Sequence, residues 1–279
     1  MDQQQRAARQ RQIAAELHVA DEFDIAREIE RRVAFLADYL RANAMTTYVL
    51  GISGGVDSST AGRLAQLAVE RLRDAHYEDA RFIAMRLPYG VQHDEADAQQ
   101  ALAFIRPDDT LTVDIRPAAD AMLASLGASG LPFIDASQQD FVHGNIKARQ
   151  RMIAQYAAAS ARRGIVIGTD HAAESVMGFF TKFGDGGADV LPLAGLTKRR
   201  VRALARALGA SDAIAHKVPT ADLEMLRPQR PDEDAYGIRY DDIDDFLEGK
   251  PVSETVFDTV MRFYDSTHHK RALPYTPFD

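Results

Sequence analysis

The sequence predicts an α/β fold: an open parallel sheet of about five strands with helices on both faces and extra helices at both ends. Three observations predict it. Short β-type runs alternate with amphipathic helical stretches from residue 46 onward, the pattern of strand–helix–strand crossovers. The first strand runs directly into a glycine-rich turn and then a helix. The 279 residues contain no cysteine framework and no internal repeat that would impose another architecture.

Taken in order, residues 6–19 are rich in Ala, Arg and Gln with few β-branched side chains, which predicts a helix. A second helix follows, with Phe23, Ile25, Ile29, Val33, Leu36 and Leu40 near helical spacing. Residues 46–52 (Thr-Thr-Tyr-Val-Leu-Gly-Ile) read as the first strand, and residues 57–74 as a helix with Leu64, Leu67, Ala68 and Leu72 on one face. Strands at 80–87 and 109–115 are followed by helices at 94–105 and 117–126. A long helix at 137–162 precedes a short buried strand at 164–168, and another helix spans 197–208. Residues 217–236 carry Pro219, Pro228 and Pro231 and read as a loop. Helices at 240–247 and 253–267 close the chain. No linker divides it, so one domain over 1–279 is expected: N-terminal helices at 1–44, an α/β core at 45–215, and a loop with C-terminal helices at 216–279.

Composition excludes several classes. Apolar residues make up 46% and charged residues 27%, an ordinary globular balance. With 33 Lys+Arg against 41 Asp+Glu the net charge is −8, which argues against a dedicated nucleic-acid or anionic-membrane surface. The absence of Cys excludes disulfides, thiolate metal sites and cysteine nucleophiles, and fits a cytoplasmic protein. The polar, arginine-containing start shows no secretory signal, and no run approaches the ~18 apolar residues of a membrane span.

The turn Ser53-Gly54-Gly55-Val56-Asp57-Ser58-Ser59-Thr60 lies between strand and helix. Glycines allow a tight turn and close approach of a ligand, and the helix N-terminus offers unpaired N–H groups to an anion. A carboxylate, Asp57, repels phosphate unless it holds a divalent cation that bridges to the phosphates. Without its surroundings the string reads equally well as a helix cap. No Walker-type G-x-x-x-x-G-K-[ST] and no G-x-G-x-x-G occurs. Gly51-Ile52-Ser53-Gly54-Gly55 matches the G-x-S-x-G nucleophile elbow, but the helical residues upstream leave no strand and loop to complete an oxyanion hole. At the end of the later strand 164–168, where open α/β sheets bind ligands, stand Thr169, Asp170, His171 and Glu174, followed by the glycine-rich run 184–187.

The turn resembles that of the N-type ATP pyrophosphatases, which cleave ATP between the α and β phosphates. The string 168–193 with Lys198, together with Arg86-Leu87-Pro88-Tyr89-Gly90, Gly144-Asn145-Ile146-Lys147-Ala148-Arg149, Val218-Pro219-Thr220-Ala221-Asp222-Leu223, residues 240–245 and His269-Lys270-Arg271, is similar to the ammonia-dependent NAD synthetases. The matches run in order from about residue 30 to 271; Val56 stands where some members carry Gln. The resemblance implies an adenine nucleotide alpha hydrolase-like sheet and a reaction in which deamido-NAD, ATP and ammonia give NAD, AMP and pyrophosphate through an acyl-adenylate. It implies ATP binding by Gly51, Ile52, Ser53, Gly54, Gly55, Val56, Asp57, Ser58, Arg86, Gln92, Thr169, Lys198 and Thr220. It implies deamido-NAD binding by Arg149, Lys182, Asp189, His269 and Lys270, and catalytic roles for Asp57, Glu174 and Lys182. Asp57 and Glu174 would hold Mg2+, and the protein would be a homodimer. No glutaminase domain is expected in this chain, since the synthetase motifs occupy most of it. The alternatives are another adenylating amidating or thiolating member of the superfamily, and a nucleotide-binding module without chemistry.

Other clusters are read more plainly. His171 and Glu174 are not spaced as a zinc pair. Asp241, Asp242, Asp244 and Asp245 lack EF-hand spacing and are expected to be helix-start acids and surface charge. Lys147, Arg149 and Arg151 on the long helix read equally as a solvated face, with Arg149 placed at the ligand only by the resemblance, and Phe179, Phe180 and Phe183 are expected to pack.

Overall fold

The computed structural model describes residues 2–90, 95–221, 224–226, 230–272 and 274–278. In chain order the elements are α1 (Gln3–Glu16), α2 (Ile25–Ala42), β1 (Thr47–Gly51), α3 (Val56–Asp74), β2 (Arg81–Arg86), α4 (Glu95–Ile105), β3 (Asp109–Thr112), α5 (Arg116–Ala128), α6 (Ala136–Ala161) and β4 (Gly164–Val166). They continue with α7 (Ala172–Met177), α8 (Lys198–Ala207), α9 (Asp212–Ala215), β5 (Thr220–Ala221), β6 (Arg230–Pro231), α10 (Asp232–Tyr236), α11 (Tyr240–Leu247), α12 (Glu254–Ser266) and α13 (His268–Arg271).

The main sheet is parallel with strand order β3-β2-β1-β4. Among the described residues it has four strands rather than about five: beyond β4 a single parallel bridge joins Ile167 to Val190, too short to make a strand. Alternation along β1 sends Tyr48 and Leu50 to one face and Val49 to the other. The first face packs on α2, α3 and α8 through Leu36, Leu40, Leu64, Leu72 and Leu204, and the second joins Met85, Val166 and Ala159 of α6. A third apolar cluster lies off the sheet. It joins Ile13 of α1 to Val176 of α7, Tyr236 of α10, Phe246 of α11 and Val260 of α12. Chain order alone places α1 beside α2, but their apolar faces go to different clusters, because α1 buries only a short stripe and docks on α11 and α12.

Two expectations need correction. Residues 217–236 are not simply a loop, since β5 and β6 pair antiparallel and α10 follows at once. Lys147 is not on a solvated face but buried, with its ammonium 4.3 Å from the ring centre of Tyr89. Gln92, Asp222 and Leu223 lie outside the described residues.

β2 and β3 lie on one side of β1 and β4 on the other, so the crossover direction reverses between β1 and β4. Open parallel sheets bind ligands outside the carboxyl ends of the strands at that reversal.

Candidate active site

A cavity of about 320 Å³ opens there. Its floor is the end of β1 with its turn (residues 50–53 and 55–58) and the end of β4 (residues 167–170). Glu174, Phe179, Asp185, Lys198, residues 217–220 and Asp232 complete the wall, and Arg151 and Gln155 reach in from α6.

Gly54 has φ +83°, and a Cβ there would come within 2.9 Å of the Ala98 nitrogen, so only glycine lets α4 approach so closely. Gly55 is the N-cap of α3 and supplies no side-chain cap among the described residues, which leaves first-turn N–H groups directed at the cavity. The hydroxyls of Ser53 and Ser58 lie 3.1 Å apart beside them, and Gly51 N–H donates to Gln155 Oε1 at 2.7 Å.

Next to this N-terminus two carboxylates converge. Asp57 Oδ2 accepts from the Lys198 ammonium at 2.7 Å, and Glu174 Oε1 lies 3.7 Å from the same nitrogen. His171 Nε2 sits 3.3 Å from Asp57 Oδ1 and 3.4 Å from Glu174 Oε1. Burial alone would raise the Asp57 pKa, but Lys198 and His171 outweigh it and hold the group well below the usual carboxylate range. Burial opposes charge on His171 and on Lys198, yet the two carboxylates prevail and both pKa values are raised. Asp57, His171 and Glu174 each offer one ligand atom, all within 4.8 Å of one another. Asp57 Oδ1 is buried, and His171 Nε2 at 3.3 Å approaches it without hydrogen-bond geometry. Two carboxylates with an unsatisfied oxygen form a hard-donor set that suits Mg2+.

Three more acids face the cavity. Burial raises Asp170 well above its ordinary value, and Glu174 and Asp185 add to that. Asp185 is raised by burial too. Asp232 is pushed up to about 6, by burial first and then by Glu174, although Tyr240 O–H donates to its Oδ2 at 3.0 Å.

Of the expected site residues, Gly51, Ile52, Ser53, Gly55, Val56, Asp57, Ser58, Thr169, Glu174, Lys198 and Thr220 line this cavity. Gly54 turns onto α4, and Arg86 is buried in a bidentate pair with Glu95 at 3.0 and 2.9 Å. The expected dinucleotide residues form a separate group. Lys182 Nζ donates to the His269 carbonyl at 2.7 Å, and Arg149 donates to the Lys182 carbonyl at 3.2 Å. Lys270 donates to the carbonyls of Gly178 and Phe180, both at 2.8 Å. Asp189 stands apart, accepting from Val166 N–H at 2.8 Å and Tyr156 O–H at 3.0 Å.

Asp170 and His171 were placed at the ligand-binding strand end but given no role, and Asp232 was not singled out. For His171 a signal existed: it stands at a strand end three residues before Glu174, the one-turn spacing that brings N-cap and N3 together. Asp244 was expected on the surface, but it is buried at 1% exposure. Phe179 does pack, edge-on against Tyr236 with centroids 4.8 Å apart, whereas Phe183 is exposed.

The family model described as NAD synthase matches residues 28–274. The chain belongs to the NAD synthase family. It is an enzyme of that family, an ATP-using ligase of NAD biosynthesis. The NH(3)-dependent NAD(+) synthetase of Paraburkholderia phytofirmans is 75% identical over 279 residues, all of this chain and 97% of that protein. The crystal structure of NAD+ synthetase from Burkholderia pseudomallei superposes with a TM-score of 0.84 at 72% identity, over 96% of this chain and 98% of that one. NMN synthetase from Francisella tularensis matches with a TM-score of 0.78 at 36% identity, over 92% of this chain and 99% of that one. The alternative of a nucleotide-binding module without chemistry is thereby set aside. Among the described residues no helix is long and apolar enough to cross a membrane.

Proposed function

We propose that this cavity carries out the ATP-dependent amidation of deamido-NAD by ammonia, giving NAD, AMP and pyrophosphate. The observation that carries the assignment of roles is the convergence of Asp57 and Glu174 beside the uncapped N-terminus of α3, in one cavity with Lys198. A carboxylate does not accept ammonia directly, because its oxygen is a poor leaving group. Attack of that oxygen on the α-phosphorus of ATP expels pyrophosphate and yields an acyl-adenylate. Ammonia then adds to the acyl carbon and AMP leaves.

In this reading the β and γ phosphates sit against the N–H groups of residues 56–58 and the hydroxyls of Ser53 and Ser58. Thr169 and Thr220 contact the nucleotide from β4 and β5. Asp57 and Glu174 would hold Mg2+, with His171 beside both acids, and the ion, when bound, would supply positive charge against the triphosphate. Lys198 adds a buried cation to the same wall, worth more in this low-dielectric setting than in water. The resemblance assigns Arg86 to ATP as well, although it is paired with Glu95 outside the cavity lining. Arg149, Lys182 and Lys270 supply positive charge, and His269 and Asp189 polar contacts, for deamido-NAD; the hydrogen bonds that join Arg149, His269 and Lys270 to residues 178–182 support that grouping. Catalysis here is positioning and electrostatics, with no protein nucleophile.

We propose further that the chain is a cytoplasmic homodimer. Exposed Ile134, Phe141 and Ile153, before and along α6, support the dimer, since apolar side chains of that size favour a covered face. Ammonia comes from solution or from another protein.

The deciding experiment supplies ATP, Mg2+, ammonium and deamido-NAD and separates the products. AMP together with NAD is expected; ADP, or no NAD, overturns the reading. The Francisella tularensis relative makes one second substrate worth including, nicotinic acid mononucleotide, and turnover of that compound in preference to deamido-NAD would shift the assignment to an NMN synthetase.

A further inference from the structure

We propose that α11 positions Lys198, with Asp244 fixing its backbone and Tyr240 its ammonium, so that the cation faces the Asp57–Glu174 pair. The proposal rests on the reading that Lys198 acts on the triphosphate.

Helix α8 begins at Lys198, and it is not capped in the usual way. Its N-cap residue, Thr197, makes no side-chain cap among the described residues; its hydroxyl donates instead to Glu248 Oε1 at 3.0 Å. The N–H groups of Lys198 and Arg199 go to the two oxygens of Asp244, at 2.9 and 2.7 Å. Asp244 lies 46 residues later in the chain and is almost fully buried. At the other end of the side chain, Lys198 Nζ lies 4.9 Å from the ring centre of Tyr240, within cation–π range. Tyr240 is itself held, its O–H donating to Asp232 and its N–H to Glu233 Oε1 at 2.8 Å. Tyr240 and Asp244 are four residues apart and so share one face of α11. One helix face therefore grips both ends of a side chain with four rotatable methylenes.

A cap for stability alone needs none of this. Thr197 stands at the N-cap position, where its own hydroxyl could satisfy an N–H without burying a charge. Asp244 instead buries a carboxylate, whose cost is offset by the two N–H donors and by Arg199 Nε 3.6 Å from its Oδ2. What it does here is set the start of α8, and with it the point from which Lys198 reaches 2.7 Å to Asp57.

The test is a double-mutant cycle on the full-length enzyme, reading kcat and KM for deamido-NAD alongside the melting temperature. Asp244→Asn can accept one N–H but presents an amide NH2 to the other. It is expected to lower kcat at least ~10-fold, with the KM for deamido-NAD within ~2-fold. In a Lys198→Gln background the same change is expected to lower kcat less than ~2-fold, while the melting temperature falls as before. If Asp244→Asn lowers only the melting temperature, or if the two kcat losses multiply, α11 is a plain structural cap and the proposal is overturned. If Lys198→Gln keeps full activity, the role of Lys198 fails first and the positioning proposal with it, a result distinct from multiplying losses. Should Asp244→Asn not fold, Tyr240→Leu and Tyr240→Phe serve in the same cycle. Loss of the ring face in Tyr240→Leu is expected to lower kcat at least ~3-fold more than Tyr240→Phe, and this difference should vanish in the Lys198→Gln background; equal losses overturn the proposal.

Discussion

Asp57 and Glu174 come from opposite sides of the sheet reversal and meet within reach of one ammonium and one imidazole. Removing either charge weakens a hard-ligand pair but leaves the other partners of Lys198 in place. Asp57→Asn and Glu174→Gln are therefore each expected to lower adenylation by at least ~10²-fold while the variants remain folded, checked by AMP release and circular dichroism. The Mg2+ concentration for half-maximal rate should rise in both. Chelation of the wild type should abolish turnover and excess Mg2+ restore it; full activity in chelator would remove the metal from the assignment. Both acids were legible in the sequence, because each follows a recognisable strand end within a few residues. Asp232 was not, since it reaches the cavity from α10, some 175 positions after Asp57, through a fold that local pattern does not encode.

At the scale of elements, the contact that organises the site is α8 against α11. Glu248 accepts from Thr197, Arg199 and Lys250 at 3.0, 2.9 and 2.9 Å. Burial would raise its pKa, but Lys250, Thr197 and Arg199 prevail and lower it. A carboxylate with a depressed folded pKa stabilises above its unfolded value, near ~4.3, and that contribution is lost as pH falls through the lower folded value. Glu248→Gln is expected to cost about 1–2 kcal/mol at pH 7, and the gap to wild type should close below about pH 4, as seen in melting temperature against pH. A gap constant across that range would show that packing rather than charge carries the contact. Asp241, Asp242, Asp244 and Asp245 were readable as helix-start acids and surface charge but not as partners of α8, and Glu248 carried no signal at all. A cap contributed by another helix has no signature at short range, and an acidic stretch looks the same whether solvent or a helix N-terminus faces it.

For the whole molecule, the exposed apolar residues of α6 and the group around Lys182 proposed for deamido-NAD make assembly the property to measure. Phe141→Glu and Ile153→Glu are expected to shift the protein from dimer to monomer in light scattering and to raise the KM for deamido-NAD more than that for ATP. A wild-type monomer at assay concentration would end the dimer proposal. The nitrogen source gives a second test at this scale. Because NH3 rather than NH4+ carries the free electron pair, the rate at fixed subsaturating total ammonium should rise with pH until the enzyme itself fails. Glutamine free of ammonia should support no NAD formation by the purified chain; equal turnover with glutamine would contradict an ammonia-dependent synthetase.

The sequence alone determined the parallel α/β class, the glycine-rich turn and the placement of Asp57 and Glu174 just beyond the carboxyl ends of two strands. These depend on short-range rules: residue periodicity, glycine at a tight turn, and an anion-seeking helix N-terminus. Only the tertiary structure decided the strand order that opens the cavity between β1 and β4, the pairing of Lys198 with Asp57 and the capture of α8 by Asp244. It also decided the docking of α1 among the C-terminal helices. Those contacts join residues far apart in the chain, and each is set by which apolar faces bury one another, a choice that becomes definite only when all the elements pack at once.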